Sequence, residues 1–397
     1  MNNAASLHPR RHRGSSGNHF DFGRILSKIF AKIRSNAVLV IAAVAALVTS
    51  CIVTPDRAYL DYFDWRTLSC LFATLAVVKA LGNVRFFSWL AAAIVRRTGN
   101  LRAAVLSLVA VTYFGSMLIA NDMALLTFLP LGYLVMSRTG NDRYMAFTFI
   151  LQNTAANLGG MLTPFGNPQN LYLYSHFAIP NGEFISIMLP PFVVATLLIG
   201  ACCLFFPKDA LTLTETGEDV PPRARTLLYF AVFAVSVLMV MRVIPFIVGL
   251  VVVTAVLLVA DRKALAQVDY PLLLTFVCFF IFAGNMARIP AVHSLFATLL
   301  SGPVLIVSTL SCQFISNVPS AILLSRFTEN YRELLIGVNI GGVGTLISSL
   351  ASLITFREYT RRHPEKTKSY LLLFSGVSLG FLVILTLFSY GWMSFVA

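Results

Sequence analysis

Long apolar runs alternate with short polar segments along most of the chain. We predict a membrane-spanning helix at each apolar run of suitable length: 38–54, 65–83, 144–174, 184–206, 226–242, 244–260, 271–287, 330–356 and 370–393. Two further apolar stretches, 102–138 and 301–325, are interrupted in the middle by IANDMA and QFISNVPSA. Each of these two is either a pair of spans or one re-entrant hairpin that enters and leaves the membrane on the same side.

The composition indicates the same class of protein. Of the 397 residues, 57% are hydrophobic and 12% are charged, whereas roughly a quarter of the residues of a soluble domain are charged. The sequence therefore predicts an all-α polytopic membrane protein. The six cysteines lie in apolar runs without the spacing of metal ligands, so we expect no disulfide framework and no metal site. Because nucleotide-binding and catalytic motifs are missing from the sequence, we predict neither an enzyme nor a cofactor.

The basic residues favour hairpins over extra spans. If both interrupted stretches are hairpins and the N-terminus is cytoplasmic, 23 of the 30 Lys and Arg residues face the cytoplasm and six face the outside. This asymmetry satisfies the positive-inside rule, and it accounts for the net charge of +13 without a nucleic-acid partner. We therefore predict nine crossings and two hairpins, in a bacterial inner membrane.

Short polar motifs recur in the same order in the two halves of the chain. IANDMALLTFLPL (119–131) resembles ISNVPSAILLSRF (315–327), and NLGGMLT (157–163) resembles NIGGVGT (339–345). An odd number of predicted crossings separates equivalent positions, so the two halves have opposite orientations, as in many secondary transporters. We predict a basic cytoplasmic arm at 1–36, a first inverted repeat at 37–206, a cytoplasmic loop with a connector helix at 207–243, and a second inverted repeat at 244–397.

The stretch NTAANLGGMLTPFGNPQN, residues 153–170, interrupts a predicted span with four Asn, three Gly and two Pro. Irregular backbone at membrane depth is tolerated only where protein or a water-filled cavity satisfies its polar groups. Carbonyl and amide oxygens suit a hard cation such as sodium, and the N-termini of half-helices suit an anion. We therefore predict a binding site here. Its candidate substrate ligands are Asn157, Thr163, Asn167 and Asn170, with Asn339 and Thr345 as their equivalents in the second half.

Two charged residues within the predicted membrane region are further candidates. Asp122, at the first hairpin tip, either carries a proton, binds sodium, or only caps the following helix. Lys79 either pairs with Asp122, attracts an anion, or extends to the cytoplasmic surface. We include both among the substrate ligands, and Asp122 also among the ion ligands.

The motif Asn-x-Gly-Gly-x-x-Thr-Pro-x-Gly-Asn-Pro-x-Asn at 157–170 follows an Ala-Asn-Asp hairpin tip and precedes a Ser-Asn-Val-Pro tip. This arrangement resembles the ion transporter superfamily and its citrate transporter-like permeases. The superfamily includes citrate and dicarboxylate/sodium symporters, arsenite efflux permeases and sodium/proton antiporters. The resemblance implies a scaffold, a mobile transport domain that carries both hairpins, elevator-like movement, and a homodimer.

The resemblance also implies two ion sites that share their residues with the substrate site. The first combines Asn121 with the backbone at Gly159 and Gly160. The second combines Ser316 and Asn317 with the backbone at Gly341 and Gly342. In the sodium-coupled carboxylate members each tip is Ser-Asn-Thr, whereas the first tip here is Ala-Asn-Asp and is similar to that of the arsenite permeases.

We predict a secondary active transporter that moves a small anion, either a di- or tricarboxylate or an inorganic oxyanion, coupled to sodium or protons. Arsenite or antimonite efflux and sodium/proton exchange are alternatives within this class. An ion channel, with the broken helices as a static filter, is the alternative from another class. The expected partners are a small anionic solute, the lipid bilayer and a second copy of the chain.

Overall fold

The computed structural model describes residues 36–211 and 220–396. The predicted basic arm, apart from its last residue, and the middle of the predicted cytoplasmic loop lie outside this range. The described residues form helices and connecting turns, with one isolated bridge between Asn100 and Ala210. Six of these helices are long and apolar enough to cross a membrane. The predicted all-α polytopic class is thus confirmed.

The first half begins with α1 (Ala37–Ile52), α2 (Trp65–Asn83) and the short helix α3 (Phe86–Val95). A helix pair follows, α4 (Leu101–Ile119) and α5 (Asn121–Arg138). The interrupted helix consists of α6 (Met145–Gly159) and α7 (Pro168–His176), and α8 (Asn181–Cys203) completes this half. Single 3-10 turns occupy Arg57–Tyr62, Asp142–Tyr144 and Gly160–Leu162.

Helix α9 (Arg223–Val240) connects the two halves. The second half contains α10 (Phe246–Ala260), α11 (Arg262–Ala266), α12 (Tyr270–Arg288) and α13 (Pro290–Leu299). Its helix pair is α14 (Val304–Ile315) and α15 (Asn317–Leu324), and its interrupted helix is α16 (Tyr331–Ile340) and α17 (Leu350–Arg362). After a 3-10 turn at Pro364–Lys366, α18 (Thr367–Val396) ends the described chain.

Apart from the five-residue helix α11, the two halves therefore contain the same helices in the same order, including two that were not predicted from the sequence. Helices α3 and α13 have 10 residues each, and each immediately precedes the helix pair of its half. They were missed because 10 apolar residues are too few to span a membrane. This correspondence supports the predicted repeat, and the opposite orientation of its halves stays a prediction.

The six helices long enough to span a membrane are α2, α4, α8, α9, α12 and α18. Helix α4 is among them, although we predict it as one arm of a hairpin, so the number of crossings stays a prediction. Of the six, α2 is the least apolar and the most buried, whereas α18 is the most apolar and the least buried. This gradient fits a protein in lipid, where apolar side chains face outward and the more polar helices lie inside the bundle.

Arg242 holds the turn between α9 and α10 against the end of α7. Its backbone has a φ of 62°. Its guanidinium donates to the carbonyl oxygens of Tyr174 and Ile179, and it lies 4.4 Å from the centre of the Tyr174 ring. A cation at this position satisfies carbonyls at a helix C-terminus. Arg242 thus links the connector to the interrupted helix.

Candidate functional site

Both helix pairs turn at a single residue with a left-handed backbone. Ala120 has φ 63° and ψ 154°, and Ser316 has φ 76° and ψ 160°. Residues other than glycine rarely adopt this conformation, which costs of order 1–3 kcal/mol and is concentrated at binding sites. The two tips share it although one sequence is Ala-Asn-Asp and the other Ser-Asn-Val. In both cases an Asn begins the next helix immediately after the turn.

These two Asn residues hold the tips and face the interrupted helices. The Asn121 Oδ1 accepts from the backbone N–H of Asp122 at 3.0 Å, and the Asn317 Oδ1 accepts from that of Val318 at 2.9 Å. The Asn121 Nδ2 donates to the Asn157 Oδ1 at 3.2 Å. Both Asn side chains are buried. Each tip amide is therefore fixed in one orientation.

Equivalent hydrogen bonds join each break to the arm of its own helix pair. The Thr163 hydroxyl donates to the Met117 carbonyl oxygen at 2.9 Å, and the Thr345 hydroxyl donates to that of Gln313 at 3.1 Å. The motif alignment that pairs Asn121 with residue 317 also pairs residue 117 with residue 313. The two breaks are therefore built by the same contacts, which is a second observation in support of the repeat.

A network of buried amides joins the two interrupted helices. The Asn170 Nδ2 lies within 3.2 Å of the carbonyl oxygens of Gly160, Met161 and Thr163, so it satisfies the backbone that the break leaves free. Asn339 donates to the Asn170 Oδ1 at 2.6 Å. The Asn339 Oδ1 in turn accepts from two amides of the first half, Asn167 at 3.4 Å and Gln169 at 3.3 Å.

Two cavities lie beside this network. The larger, of about 520 Å³, is lined by both tips, through Asn121, Ser316 and Asn317, and by helices α1 and α12. The smaller, of about 80 Å³, lies between α2 and the start of α7 and includes Asn167. Asp122 lines both cavities. The structure thus brings the two predicted hairpin tips and the predicted charged residue to one place.

The other predicted ligands lie behind the cavity walls rather than on them. Neither cavity is lined by the candidates Asn157, Thr163, Asn170, Asn339, Thr345, Gly159, Gly160, Gly341, Gly342 and Lys79. The five Asn and Thr side chains of this set hydrogen-bond to the protein and hold the breaks. Their role as ligands stays a prediction.

Lys79 does not pair with Asp122, which was one of the three alternatives for this residue. It is half-buried on α2, and it makes no ion pair with any residue in 36–211 or 220–396. Arg242 also lines neither cavity. Within the described chain, the walls of the two cavities contain no Lys, Arg or His, and their acidic residues are Asp122 and Asp269.

Four helix N-termini meet at the larger cavity. Its lining includes the first residues of α5 (Asn121), α7 (Pro168), α15 (Asn317) and α17 (Leu350). Each helix N-terminus carries a partial positive charge of about half an elementary charge. At α15 the Asn317 N–H donates to the Ser348 carbonyl oxygen, the Val318 N–H donates to the Asn317 Oδ1, and Pro319 has no N–H, so this end contributes its dipole only. Since no basic side chain is present in these walls, the helix ends supply the positive potential. Such ends bind anions.

Several residues of the cavity walls were not predicted from the sequence. Thr74 and Asp269 line the smaller cavity, and Gln169 and Thr275 line the larger one. Gln169 lies inside the recognised motif, between Pro168 and Asn170, and its position was a usable signal. Thr74 belongs to a face of α2 with the spacing 71, 74, 75 and 78, which marks a buried helix face but not a cavity.

We expect Gly159→Ala to destabilise the protein by about 3 kcal/mol, the upper end of the cost of overpacking. A Cβ at Gly159 would overlap the backbone carbonyl oxygen of Tyr113 and lie 2.6 Å from the Ser116 Oγ. The backbone of α4 cannot give way cheaply. The apparent melting temperature of the purified variant in detergent measures this effect.

Gly82→Ala is the matched control. Gly82 lies in α2, and a Cβ there meets nothing within 4 Å. We expect this variant to equal or exceed the wild-type melting temperature, because Ala favours a helix over Gly by about 1 kcal/mol. Equal stability of the two variants would contradict the close approach at Gly159.

Comparisons with known proteins give a consistent picture. The citrate transporter family matches residues 25–331. An uncharacterized transporter of Methanocaldococcus jannaschii is 31% identical over 295 residues, which cover 74% of this chain and 81% of the relative. The inner membrane protein YbiR of Escherichia coli is 30% identical over 303 residues, which cover 74% of this chain and 80% of the relative. A silicon efflux transporter of Oryza sativa is 31% identical over 140 residues, which cover 35% of this chain and 28% of the relative.

Proposed function

The chain belongs to the citrate transporter family of membrane transporters, and we propose that it is a secondary active transporter for a small anion. The anion is a di- or tricarboxylate or an inorganic oxyanion. One observation carries this proposal: four helix N-termini converge on a cavity of about 520 Å³ that both helix-pair tips line. That volume is within the range of small-molecule sites, about 300–1,000 Å³.

The binding chemistry follows from the walls of the cavity. Backbone N–H groups at the ends of α5, α7 and α17 and the side-chain amides of Asn121, Asn317 and Gln169 donate hydrogen bonds to the anion. Without an Arg or Lys at the site, the attraction is modest. A transporter benefits from this, because it must release its substrate on the other side.

Asp122 is the proposed coupling residue. Its carboxylate follows the first tip, lines both cavities, and has a buried Oδ1 without a hydrogen-bond partner in the protein. A charge at membrane depth is costly, so Asp122 is neutralised by a proton or a sodium ion while the substrate is carried. No cofactor is needed beyond this coupling ion.

The proposed movement is elevator-like. The two helix pairs and the two interrupted helices form the mobile transport domain, and α1–α3 with α9–α13 form the scaffold. The larger cavity lies between these groups, since its lining combines α1 and α12 with both tips. We propose that the protein forms a homodimer in a bacterial inner membrane and that its N-terminus is cytoplasmic.

A second candidate function is efflux of an oxyacid such as arsenite or antimonite in exchange for protons at Asp122. Two observations favour it: the cavity walls described above lack a basic side chain, and one relative is a silicon efflux transporter. An uncharged oxyacid needs hydrogen bonds but no positive charge. Sodium/proton exchange would use the same carboxylate.

A thermal-stability screen of the purified protein separates these candidates. The ligands are citrate, succinate, malate, sulfate and arsenite, each with sodium or with choline as the cation. A ligand that binds the folded state raises the apparent melting temperature by mass action. We expect a shift with one carboxylate or oxyanion. A shift with arsenite alone, together with resistance of an arsenite-sensitive host, would replace anion transport by efflux.

A further inference from the structure

Three residues that line the smaller cavity each have a buried oxygen atom without a hydrogen-bond partner in the protein. These atoms are the Thr74 Oγ1 of α2, the Asp122 Oδ1 of α5 and the Asn167 Oδ1 at the start of α7. Thr74 is 7% exposed and Asn167 is 1% exposed. Buried polar atoms are nearly always paired. Three unpaired oxygens from three different elements around one cavity therefore indicate a missing ligand.

The orientation of Asn167 shows which kind of ligand is missing. The Asn167 Nδ2 is placed between two acceptors, the Asn157 carbonyl oxygen at 3.3 Å and the Asn339 Oδ1 at 3.4 Å. Its other terminal atom must then be the oxygen, which is an acceptor only. Asp122, when ionised, also offers acceptors only. The ligand is therefore a donor or a cation.

The charge of the cavity favours a cation. Asp122 and Asp269 both line it, and its wall of described residues contains no basic side chain. The first residues of α7 (Pro168) and α17 (Leu350) also line it, but the half charge of each helix end is smaller than the full charge of each carboxylate. Asp269 is exposed and caps α12, accepting from the Leu272 N–H at 3.0 Å. It therefore contributes negative charge near the mouth of the cavity without filling it. Carboxylate, amide and hydroxyl oxygens are the ligands of hard cations.

We propose that this cavity binds a monovalent cation, with sodium as the best match, through Thr74, Asp122 and Asn167. The cavity volume of about 80 Å³ exceeds the roughly 10–15 Å³ that one water requires. It accommodates an ion with one or two coordinating waters. Thr74 and Asn167 are not ligands of the ion sites implied by the family resemblance.

The position of Thr74 has a consequence that depends on the proposed elevator function. Thr74 lies on α2, which belongs to the proposed scaffold, whereas Asp122 and Asn167 lie on the proposed transport domain. Movement of that domain removes the Thr74 ligand. The cation therefore binds more tightly in the conformation described here than in the other end state, and it shifts the population toward this conformation.

The test is a sodium titration of melting temperature, without any transport substrate. Sodium chloride is compared with potassium chloride and choline chloride at equal ionic strength. We expect sodium to raise the wild-type melting temperature by about 2–5 °C over choline, and Asp122→Asn to remove the shift. Thr74→Val keeps the side-chain volume but loses one ligand. The sodium concentration that produces half of the maximal shift in melting temperature should therefore rise about tenfold.

Two variants control for non-specific effects. Thr127 lies on α5 and lines neither cavity, and its hydroxyl donates within its own helix to the Met123 carbonyl oxygen at 2.8 Å. Thr127→Val removes this hydroxyl. It should respond to sodium like the wild type. Thr74→Ser restores the hydroxyl and should restore the response, which separates loss of a ligand from misfolding of Thr74→Val.

Three results would overturn the site. They are equal shifts with sodium and choline, equal sodium dependence of Thr74→Val and wild type, and binding of radioactive sodium to wild-type protein that Asp122→Asn leaves unchanged. In each case the cavity holds water only. Because chloride is the same in every sample and no transport substrate is added, failure of the anion-transport proposal leaves this measurement intact. Anion transport that is independent of sodium would remove this site as a coupling site but leave the transport function.

Discussion

Asp122→Asn is expected to abolish ion-coupled transport while the fold remains intact. The substitution preserves the shape of the side chain. The Asp122 Oδ1 makes no hydrogen bond within the protein, and the N–H at the start of α5 is bonded to Asn121. The change therefore removes a negative charge from the walls of both cavities and little else. We expect ion-driven accumulation of substrate to fall by roughly 100-fold, toward the upper end of typical coupling between two ligands.

Proteoliposomes with an imposed sodium or pH gradient provide the measurement. Asp142→Asn is the control, because Asp142 lies in the turn after α5 and lines neither cavity. We expect the control to match the wild type. The melting temperature of Asp122→Asn without sodium should stay within a few degrees of the wild-type value. Unchanged ion dependence in Asp122→Asn would show that Asp122 has no role in coupling; its side chain makes no cap hydrogen bond at α5 either.

Asn339→Ala is expected to have the largest effect on stability. Asn339 joins the two interrupted helices, since its amide donates to Asn170 and accepts from Asn167 and Gln169. Removing it leaves buried polar groups of the first half without partners, and each such group costs about 1–3 kcal/mol. We expect a total loss of about 3–5 kcal/mol and no transport, because both breaks depend on this contact.

A control lies on the same helix. Asn330 caps α16 at its first turn by accepting from the Glu333 N–H, and its loss costs about 1 kcal/mol. Melting temperatures and elution profiles in detergent compare Asn330→Ala with Asn339→Ala. If the two variants lose the same stability, the amide network does not join the halves in the way described here.

The sequence predicted the breaks and the tips well because their signals are local. Glycine and proline at 159–168 end one helix and begin another. The predicted tips were placed by their polar residues, and the structure turns the chain at Ala120 and Ser316, one residue before each tip Asn. Helices α3 and α13 were not predicted, because such short apolar segments cannot be recognised as membrane spans by their length.

The site was predicted only in part, because its assembly depends on contacts between distant elements. Asn121, Asp122 and Asn317 line a cavity as predicted candidates. Thr163 and Thr345, equally polar in the sequence, instead donate to carbonyls of the helix pairs. Thr74 comes from α2, far from both motifs, and a single polar residue on a buried helix face is no signal by itself. Packing between distant elements decides which polar residues line a cavity and which ones hydrogen-bond to the backbone.

We propose that this transporter uses an ion gradient to accumulate an anion through the cavity between its two tips. The most direct test of this function is uptake of the radiolabelled ligand found in the thermal screen, in proteoliposomes of purified protein. We predict saturable accumulation above the external concentration when a sodium or proton gradient is imposed, and counterflow when it is absent. Non-saturating flux that only equilibrates the ligand, accompanied by gradient-independent single-channel currents, would contradict the claim and indicate a channel.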